Sequence, residues 1–115
     1  MFIFHLDWPG EDEMTTSGLP DNWVDADASY NLTLIVEKIK PAGDVYWIID
    51  DVTQQETTTD AELNGDDKTY NLSGSLYLVK FNKSQTTSFV RYRVELENGD
   101  ELSGDYRDVE IRCKL

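Results

Sequence analysis

The chain has 115 residues, of which 23 are acidic and 10 basic, so its net charge is −13, and Cys113 is its single cysteine. This charge disfavours direct binding to nucleic acid, which needs a basic surface, and contact with anionic membranes. One cysteine excludes an internal disulfide and a four-cysteine zinc site, and no apolar run of about 20 residues is present to insert into a membrane. We expect one domain, residues 1–115, held together by packing alone.

The first predicted element is a strand over residues 1–8, where apolar side chains occupy every second position up to Trp8. The Pro9–Gly10 pair ends it, since this dipeptide is a turn signal. The apolar start is short and has no positive flank, so no secretory signal is predicted.

Residues 9–28 show no clear periodicity and predict a long acidic loop or arm. The first 28 residues contain seven acidic side chains and no Lys or Arg, which is more than half of the net charge. Trp8 and Trp23 lie within this acidic region, and Trp is enriched at binding hot spots. We expect both tryptophans to bind a protein partner; the alternative is a mobile loop with one Trp packed on the body.

Residues 29–115 predict the body of a sandwich. One of its strands, residues 45–49, is apolar on both faces, with Trp47 on one face and Tyr46 and Ile48 on the other. Such a strand is either central and covered on both sides, or its outer face meets a partner. Tyr46 and Ile48 are therefore predicted to bind a protein partner. Further strands are predicted at residues 30–36, 54–59 (a short edge strand), 76–81, 90–96 and 109–115.

The clearest alternation, over Val90–Leu96, is followed by a predicted three-residue hairpin loop at Glu97–Gly99, because that register keeps apolar residues together. The apolar positions of the last strand are even-numbered in its first half and odd-numbered in its second, which requires a bulge within residues 105–108. Cys113 lies on the odd-numbered face and is expected to be a small buried core residue. The predicted register sets Val94 opposite Leu102, Tyr92 opposite Gly104, and Val90 opposite Tyr106.

Leu34, Trp47 and the triplet Tyr92-Arg93-Val94 resemble the Cys, Trp and Tyr-x-Cys pattern of immunoglobulin-like domains, with apolar residues at both cysteine positions. The resemblance implies an all-β, antiparallel immunoglobulin-like sandwich of seven or eight strands that lacks the core disulfide. It also implies that Tyr92 is a corner tyrosine whose hydroxyl bonds to nearby backbone, and that the domain serves adhesion, display or assembly.

Catalytic and metal chemistry has little support in the sequence, so no enzyme, no cofactor and no metal site is predicted. His5 is the only histidine, and no motif surrounds Cys113. Three acidic pairs could supply oxygen ligands to Ca²⁺, but none has a calcium-site spacing, and solvated turns explain them. The charged face of the 90–96 strand could dock a partner, although cross-strand ion pairs are favoured there. The acidic pairs are Asp25 with Asp27, Asp50-Asp51 and Asp66-Asp67.

The predicted function is a non-enzymatic protein–protein interaction or display module. An accessory structural protein such as a phage virion decoration or tail component is favoured, and its protein partner is then a capsid or tail protein. One alternative is a cytoplasmic acidic inhibitor of the phage anti-defence type, which mimics a nucleic acid in a basic channel. A second alternative is an excised module of a cell-surface adhesion protein. A third is that the acidity reflects adaptation to a salty environment and has no role in binding a partner. The predicted location is the virion or cell surface, or the cytoplasm for an inhibitor.

Overall fold

The computed structural model describes residues 14–65 and 68–113. These residues form nine β-strands and no helix. The chain is therefore all-β, as predicted, with more strands than the seven or eight expected. Within these two described ranges, no helix is long and apolar enough to cross a membrane. The strands are β1 (Met14–Ser17), β2 (Trp23–Asp25), β3 (Tyr30–Ile39), β4 (Gly43–Ile49), β5 (Val52–Gln54), β6 (Thr58–Leu63), β7 (Tyr70–Val79), β8 (Thr87–Leu96) and β9 (Glu101–Arg112).

The strands form two sheets that pack as a sandwich. The four-stranded sheet has the order β1-β3-β7-β6, and the five-stranded sheet has the order β2-β9-β8-β4-β5. Neighbouring strands are antiparallel, except that β2 runs parallel to β9. Because β1 lies in one sheet and β2 in the other, the chain crosses between the sheets near its beginning.

The interior contains the inward-facing residues of both sheets, as the period-two alternation predicts. Leu34, Trp47 and Val94, the three positions singled out by the sequence pattern, are all fully buried. Burying one large apolar side chain contributes roughly 1.5–3 kcal/mol, so this interior carries most of the stabilisation.

The two sheets come into close contact at Gly74 of β7. The indole Nε1 of Trp47 donates a hydrogen bond to the Gly74 carbonyl, with an N–O distance of 3.2 Å. A Cβ at Gly74 would lie 2.2 Å from Cγ1 of Val45, which is closer than two carbon atoms can approach. Glycine is therefore required here for space, so that β4 can pack directly on the backbone of β7.

The loop of the β8–β9 hairpin confirms the predicted register. Val94 faces Leu102 and Tyr92 faces Gly104 across the ladder. The N–H of Gly99 donates to the carbonyl of Leu96, and Gly99 has φ +94°, a conformation that glycine adopts without strain.

The predicted bulge in β9 is present, but it shifts one of the predicted pairs. Arg91 faces Asp105 while Val90 faces Arg107, so Tyr106 is the extra residue and the predicted Val90–Tyr106 pair is wrong. Tyr106 keeps the inward direction of the even-numbered residues before it, and its ring centroid lies 5.8 Å from that of Trp47. The bulge instead changes the residues that follow, so that the odd-numbered Val109 and Ile111 point inward.

The end of β9 corrects another prediction. Cys113 is exposed, because the strand ends at Arg112, where β2 also ends, and none of the described residues covers the position beyond it. Val109 and Ile111 of the same strand are buried, as expected.

The expected edge strand at residues 54–59 is in fact two strands, β5 and β6, which lie in different sheets. The chain crosses from one sheet to the other at residues 55–57. The region 9–28, expected to be a loop or arm, contains β1 and β2 in its described part. The predicted strand at residues 1–8 lies outside the described residues, and the division into one domain stays a prediction.

Candidate functional site

Three of the four predicted partner-binding residues lie on the outer face of the five-stranded sheet. Tyr46 and Ile48 flank the inward-facing Trp47 of β4, so the alternation of the strand turns both side chains outward, where they are half-buried. Trp23 of β2, also half-buried, lies on the same face across β9 and β8. Trp8 lies outside the described residues.

Three arginines on this face each stack on an aromatic ring. Each arginine Cζ lies between 5.2 and 5.7 Å from its ring centroid, within the range of a cation–π interaction. The pairs are Arg91 with Phe89, Arg93 with Tyr46, and Arg112 with Trp23. We call these six residues, together with Ile48, the arginine–aromatic face.

The register explains why these side chains meet. Arg93 lies directly opposite Tyr46 in the β4–β8 ladder, and Arg91 lies opposite Ile48. Residues opposite each other in an antiparallel pair point to the same face, so each arginine lies beside an apolar neighbour on β4. Phe89 precedes Arg91 by two residues on β8 and therefore shares this face. Sequence reasoning missed Phe89, although extending the same alternation two residues towards the N-terminus identifies it.

Each of the three arginines also lies beside a carboxylate. The Nε–O distances are 2.8 Å from Arg91 to Asp105 Oδ1, 3.1 Å from Arg93 to Glu95 Oε1, and 3.0 Å from Arg112 to Glu110 Oε1. These pairs are partly or largely exposed, so each contributes at most about 1 kcal/mol to stability. Their main effect is to hold the guanidinium groups in place over the rings.

Arg93 is the most enclosed of the three arginines. Its Nε is buried, and although Glu95 is close, the N–H is not aligned with that carboxylate and donates no hydrogen bond to the described residues. The guanidinium is therefore held between the Tyr46 ring and the Glu95 side chain by stacking and charge.

The arginine–aromatic face is wide enough for one protein partner to contact all of it. Trp23 and Tyr46 are separated by three strand spacings of about 4.8 Å and by about six residues along β8, which places them about 25 Å apart. An interface of ordinary size covers about 800 Å² on each partner, a patch of similar width. Trp, Tyr and Arg are also the residues most enriched at binding hot spots.

Two of the three acidic pairs that could bind Ca²⁺ lie within the described residues, and one aspartate of each pair accepts hydrogen bonds from the protein. Asp25 Oδ1 accepts a hydrogen bond from the backbone N–H of Asp27 at 2.9 Å. Asp50 accepts hydrogen bonds from the Ser88 hydroxyl at 2.8 Å and the Phe89 N–H at 2.9 Å. No group of three or more His, Cys, Asp or Glu side chains within 14–65 and 68–113 could hold a metal ion. Asp66-Asp67 and His5 lie outside the described residues.

Tyr92 does not form the corner implied by the resemblance. Its ring packs edge-on against Trp47 and covers Gly104, and its hydroxyl makes no hydrogen bond to the described residues. Burial, and secondarily the charge of Asp105, raises the pKa of Tyr92 above its ordinary value of 10.0. The side chain is therefore a neutral, partly buried residue packed against the core.

Comparison with known proteins does not add a function. No protein-family model and no curated protein matches this chain.

Proposed function

We propose that this chain is a non-enzymatic interaction or display module with an immunoglobulin-like sandwich, and that it binds a protein partner through the arginine–aromatic face. An accessory structural protein of a phage virion, such as a decoration or tail component, is the role we favour. A module of a cell-surface adhesion protein would use the same face.

The strand order supports the immunoglobulin-like assignment. Those domains place strands A, B, E and D in one sheet and C, F and G in the other. With β3 as strand B and β4 as strand C, the sheets β1-β3-β7-β6 and β9-β8-β4 match those two orders. Trp47 then lies on strand C, and Leu34 and Val94 occupy the positions of the two cysteines. Their burial allows packing to replace the disulfide.

One observation carries the proposed binding role: Trp23, Tyr46 and Phe89 each stack with an arginine on one outer face of the five-stranded sheet. Stacking and ion pairing restrict the arginine side chains before a partner arrives, which lowers the entropy lost on binding. The opposite face of the sandwich differs, because its central strands present mainly Ser, Thr and Asn.

A photo-crosslinking amino acid at position 48 tests the proposal, with position 35 as the matched control. Ile48 lies on the arginine–aromatic face, while Ile35, 38% exposed, lies on the outer face of the four-stranded sheet. In material from the native source, we expect position 48 to crosslink to one protein and position 35 to crosslink to none. Tyr46→Ala should weaken that complex about 30-fold, the effect of a hot-spot residue.

Equal crosslinking from both positions, or a complex that tolerates both Tyr46→Ala and Trp23→Ala, would contradict the proposal. Salt separates it from mimicry of a nucleic acid. The face carries both signs of charge, so we expect affinity to change little between low and physiological salt. Affinity that falls steeply with salt, together with competition by DNA or RNA, would favour the inhibitor instead.

A further inference from the structure

Two asparagines of this chain are followed directly by glycine. Asn98 and Gly99 lie in the loop of the β8–β9 hairpin, and Asn64 and Gly65 follow β6. The backbone nitrogen of a glycine reaches the side-chain carbonyl of the asparagine before it more easily than that of any other residue, because no Cβ hinders the approach. The other asparagines precede larger side chains: Asn22, Asn31, Asn71 and Asn82. The two Asn–Gly pairs are therefore the places where an asparagine amide can convert into a carboxylate without an enzyme.

The side chain of Asn98 is well placed for this reaction. It is exposed, and its Oδ1 accepts a hydrogen bond from the backbone N–H of Asp100 at 3.0 Å. This Asx turn folds the side-chain carbonyl back over the intervening Gly99 peptide. If the Gly99 nitrogen attacks Cγ, Oδ1 becomes an oxyanion, and the Asp100 N–H stabilises the charge that develops on it. The leaving group, Nδ2, donates no hydrogen bond to the described residues.

The attacking nitrogen of Gly99 must first be released from one hydrogen bond. Its N–H donates to the Leu96 carbonyl at 2.9 Å. The loop residues 97–99 are all exposed, and such a hairpin tip opens locally at a small cost in free energy. A Cβ at Gly99 would meet no atom within 4 Å, so the loop also has room to change shape. The reactive conformation is therefore accessible while the sheet stays folded.

Asn64 is held much more firmly. It is half-buried, and its Nδ2 donates hydrogen bonds to Thr69 Oγ1 at 3.1 Å and to Asn71 Oδ1 at 3.0 Å. Its Oδ1 accepts a third from Asn71 Nδ2 at 3.3 Å. The side chain has to leave all three partners before its Cγ can turn towards the nitrogen of Gly65, and each bond lost adds to the barrier. The same dipeptide is therefore protected at this position.

We propose that Asn98 is a site of spontaneous deamidation and that the fold protects Asn64. The Gly99 nitrogen loses its proton to solvent and bonds to Cγ of Asn98. The Cγ–Nδ2 bond then breaks, and the amide group takes up a proton and leaves as ammonia. One water molecule opens the resulting cyclic imide at either carbonyl, which gives aspartate or isoaspartate.

The modification changes the hairpin loop in two ways. Each modified molecule gains one negative charge, in a chain whose net charge is already −13. The isoaspartate product also adds a methylene group to the backbone of the loop. This inference does not depend on the proposed function, since it needs only the chain and water.

Incubation of the full chain in mildly alkaline buffer, followed by tryptic digestion and mass spectrometry, measures both sites in one sample. Trypsin cuts after Lys and Arg but not before Pro, so residues 94–107 and 39–68 are separate peptides with one asparagine each. We expect Asn98 to deamidate at least about tenfold faster than Asn64, the factor for two additional hydrogen bonds broken. Both asparagines are followed by Gly and Asp, so the two rates should converge when the chain is unfolded in urea.

Asn71→Ala tests the protection of Asn64, because it removes the partner of both Nδ2 and Oδ1. Deamidation at Asn64 should accelerate several-fold, while the rate at Asn98 in the same sample should not change. The unchanged rate at Asn98 is the control for general unfolding, which would accelerate both. A folded chain in which Asn64 reacts as fast as Asn98 overturns the proposal. So does a ratio of rates that urea leaves unchanged, or an Asn71→Ala chain in which Asn64 reacts no faster.

Discussion

The side of the sandwich that contains β5 and β6 is closed along one half and open along the other. In the closed half, β4 extends past the end of β5, and two threonines take the place of a neighbouring strand. The Thr59 hydroxyl accepts a hydrogen bond from the Val45 N–H at 2.8 Å and donates one to the Val45 carbonyl at 3.3 Å. The Thr57 hydroxyl accepts from the Trp47 N–H and donates to the Gln54 carbonyl.

In the open half, β7 extends past the end of β6, and no comparable side chain within 14–65 and 68–113 covers its edge. Both halves arise from the same event, the crossing of the chain between sheets at residues 55–57, which ends β5 in one sheet and begins β6 in the other. An edge whose backbone groups are satisfied by side chains contributes to stability, while an open edge can pair with another strand. Substitutions in the two halves should therefore have different effects.

Gly74→Ala should have the largest effect on stability, because it acts where the two sheets meet in the closed half. The added Cβ would lie 2.2 Å from Cγ1 of Val45, a buried side chain with a restricted rotamer. We expect the free energy of unfolding to fall by about 3 kcal/mol, the cost of severe overpacking, as measured by urea denaturation.

Gly65→Ala is the matched control for that variant, since a Cβ at Gly65 meets no atom within 4 Å. It should change the free energy of unfolding by less than about 0.5 kcal/mol. Adding Val45→Ala to Gly74→Ala should recover part of the loss, because it removes the atoms that collide. Equal losses at Gly74 and Gly65 would contradict the close contact between sheets.

Thr59→Val removes one hydroxyl from the closed half while keeping the shape of the side chain. Two backbone groups of Val45 would lose their partner, so the free energy of unfolding should fall by about 2 kcal/mol. The neighbouring Thr58→Val is the control, because Thr58 is exposed and its hydroxyl makes only a long hydrogen bond of 3.4 Å. If both variants lose the same stability, the threonine hydroxyls do not replace a strand.

Leu78→Asn tests the open half, where we expect stability to rise. Asn tolerates a positive φ better than Leu, and Leu78 has little buried surface to lose. The variant should be about 0.5–1 kcal/mol more stable by thermal or urea denaturation. A loss of stability as large as that of Thr59→Val would mean that both halves are equally structural.

Elements with a strong alternation could be predicted from the sequence, and so could the site residues they carry. The alternation of β8 and the burial of Trp47 follow from which faces are apolar, and the outward direction of Tyr46 and Ile48 follows from the same alternation. The hairpin loop follows from the need to pair apolar residues, which is a local constraint.

Elements held by long-range backbone pairing could not be predicted. β1 and β2 are short and have no apolar alternation, and they form because β3 and β9 offer edges to which they pair. The contact of Arg112 with Trp23 depends on that parallel pairing between opposite ends of the chain. The open half depends on the position of Thr58, the residue of β6 at which pairing with β7 stops, and no local sequence signal marks that residue.

The smallest predicted effect concerns Tyr92, which packs on Trp47 and so supports both halves alike. Burial first, and the charge of Asp105 second, raise the pKa of this side chain above 10.0 in the folded state. The folded chain therefore holds the phenol proton more tightly than the unfolded chain does. This contribution is fully present below pH 10 and is lost as the pH rises through the folded-state pKa. In Tyr92→Phe the decline of the free energy of unfolding above pH 10, measured by urea denaturation, should be shallower than in the parent chain. Parallel declines in the two chains would show that ionisation of Tyr92 is not coupled to folding.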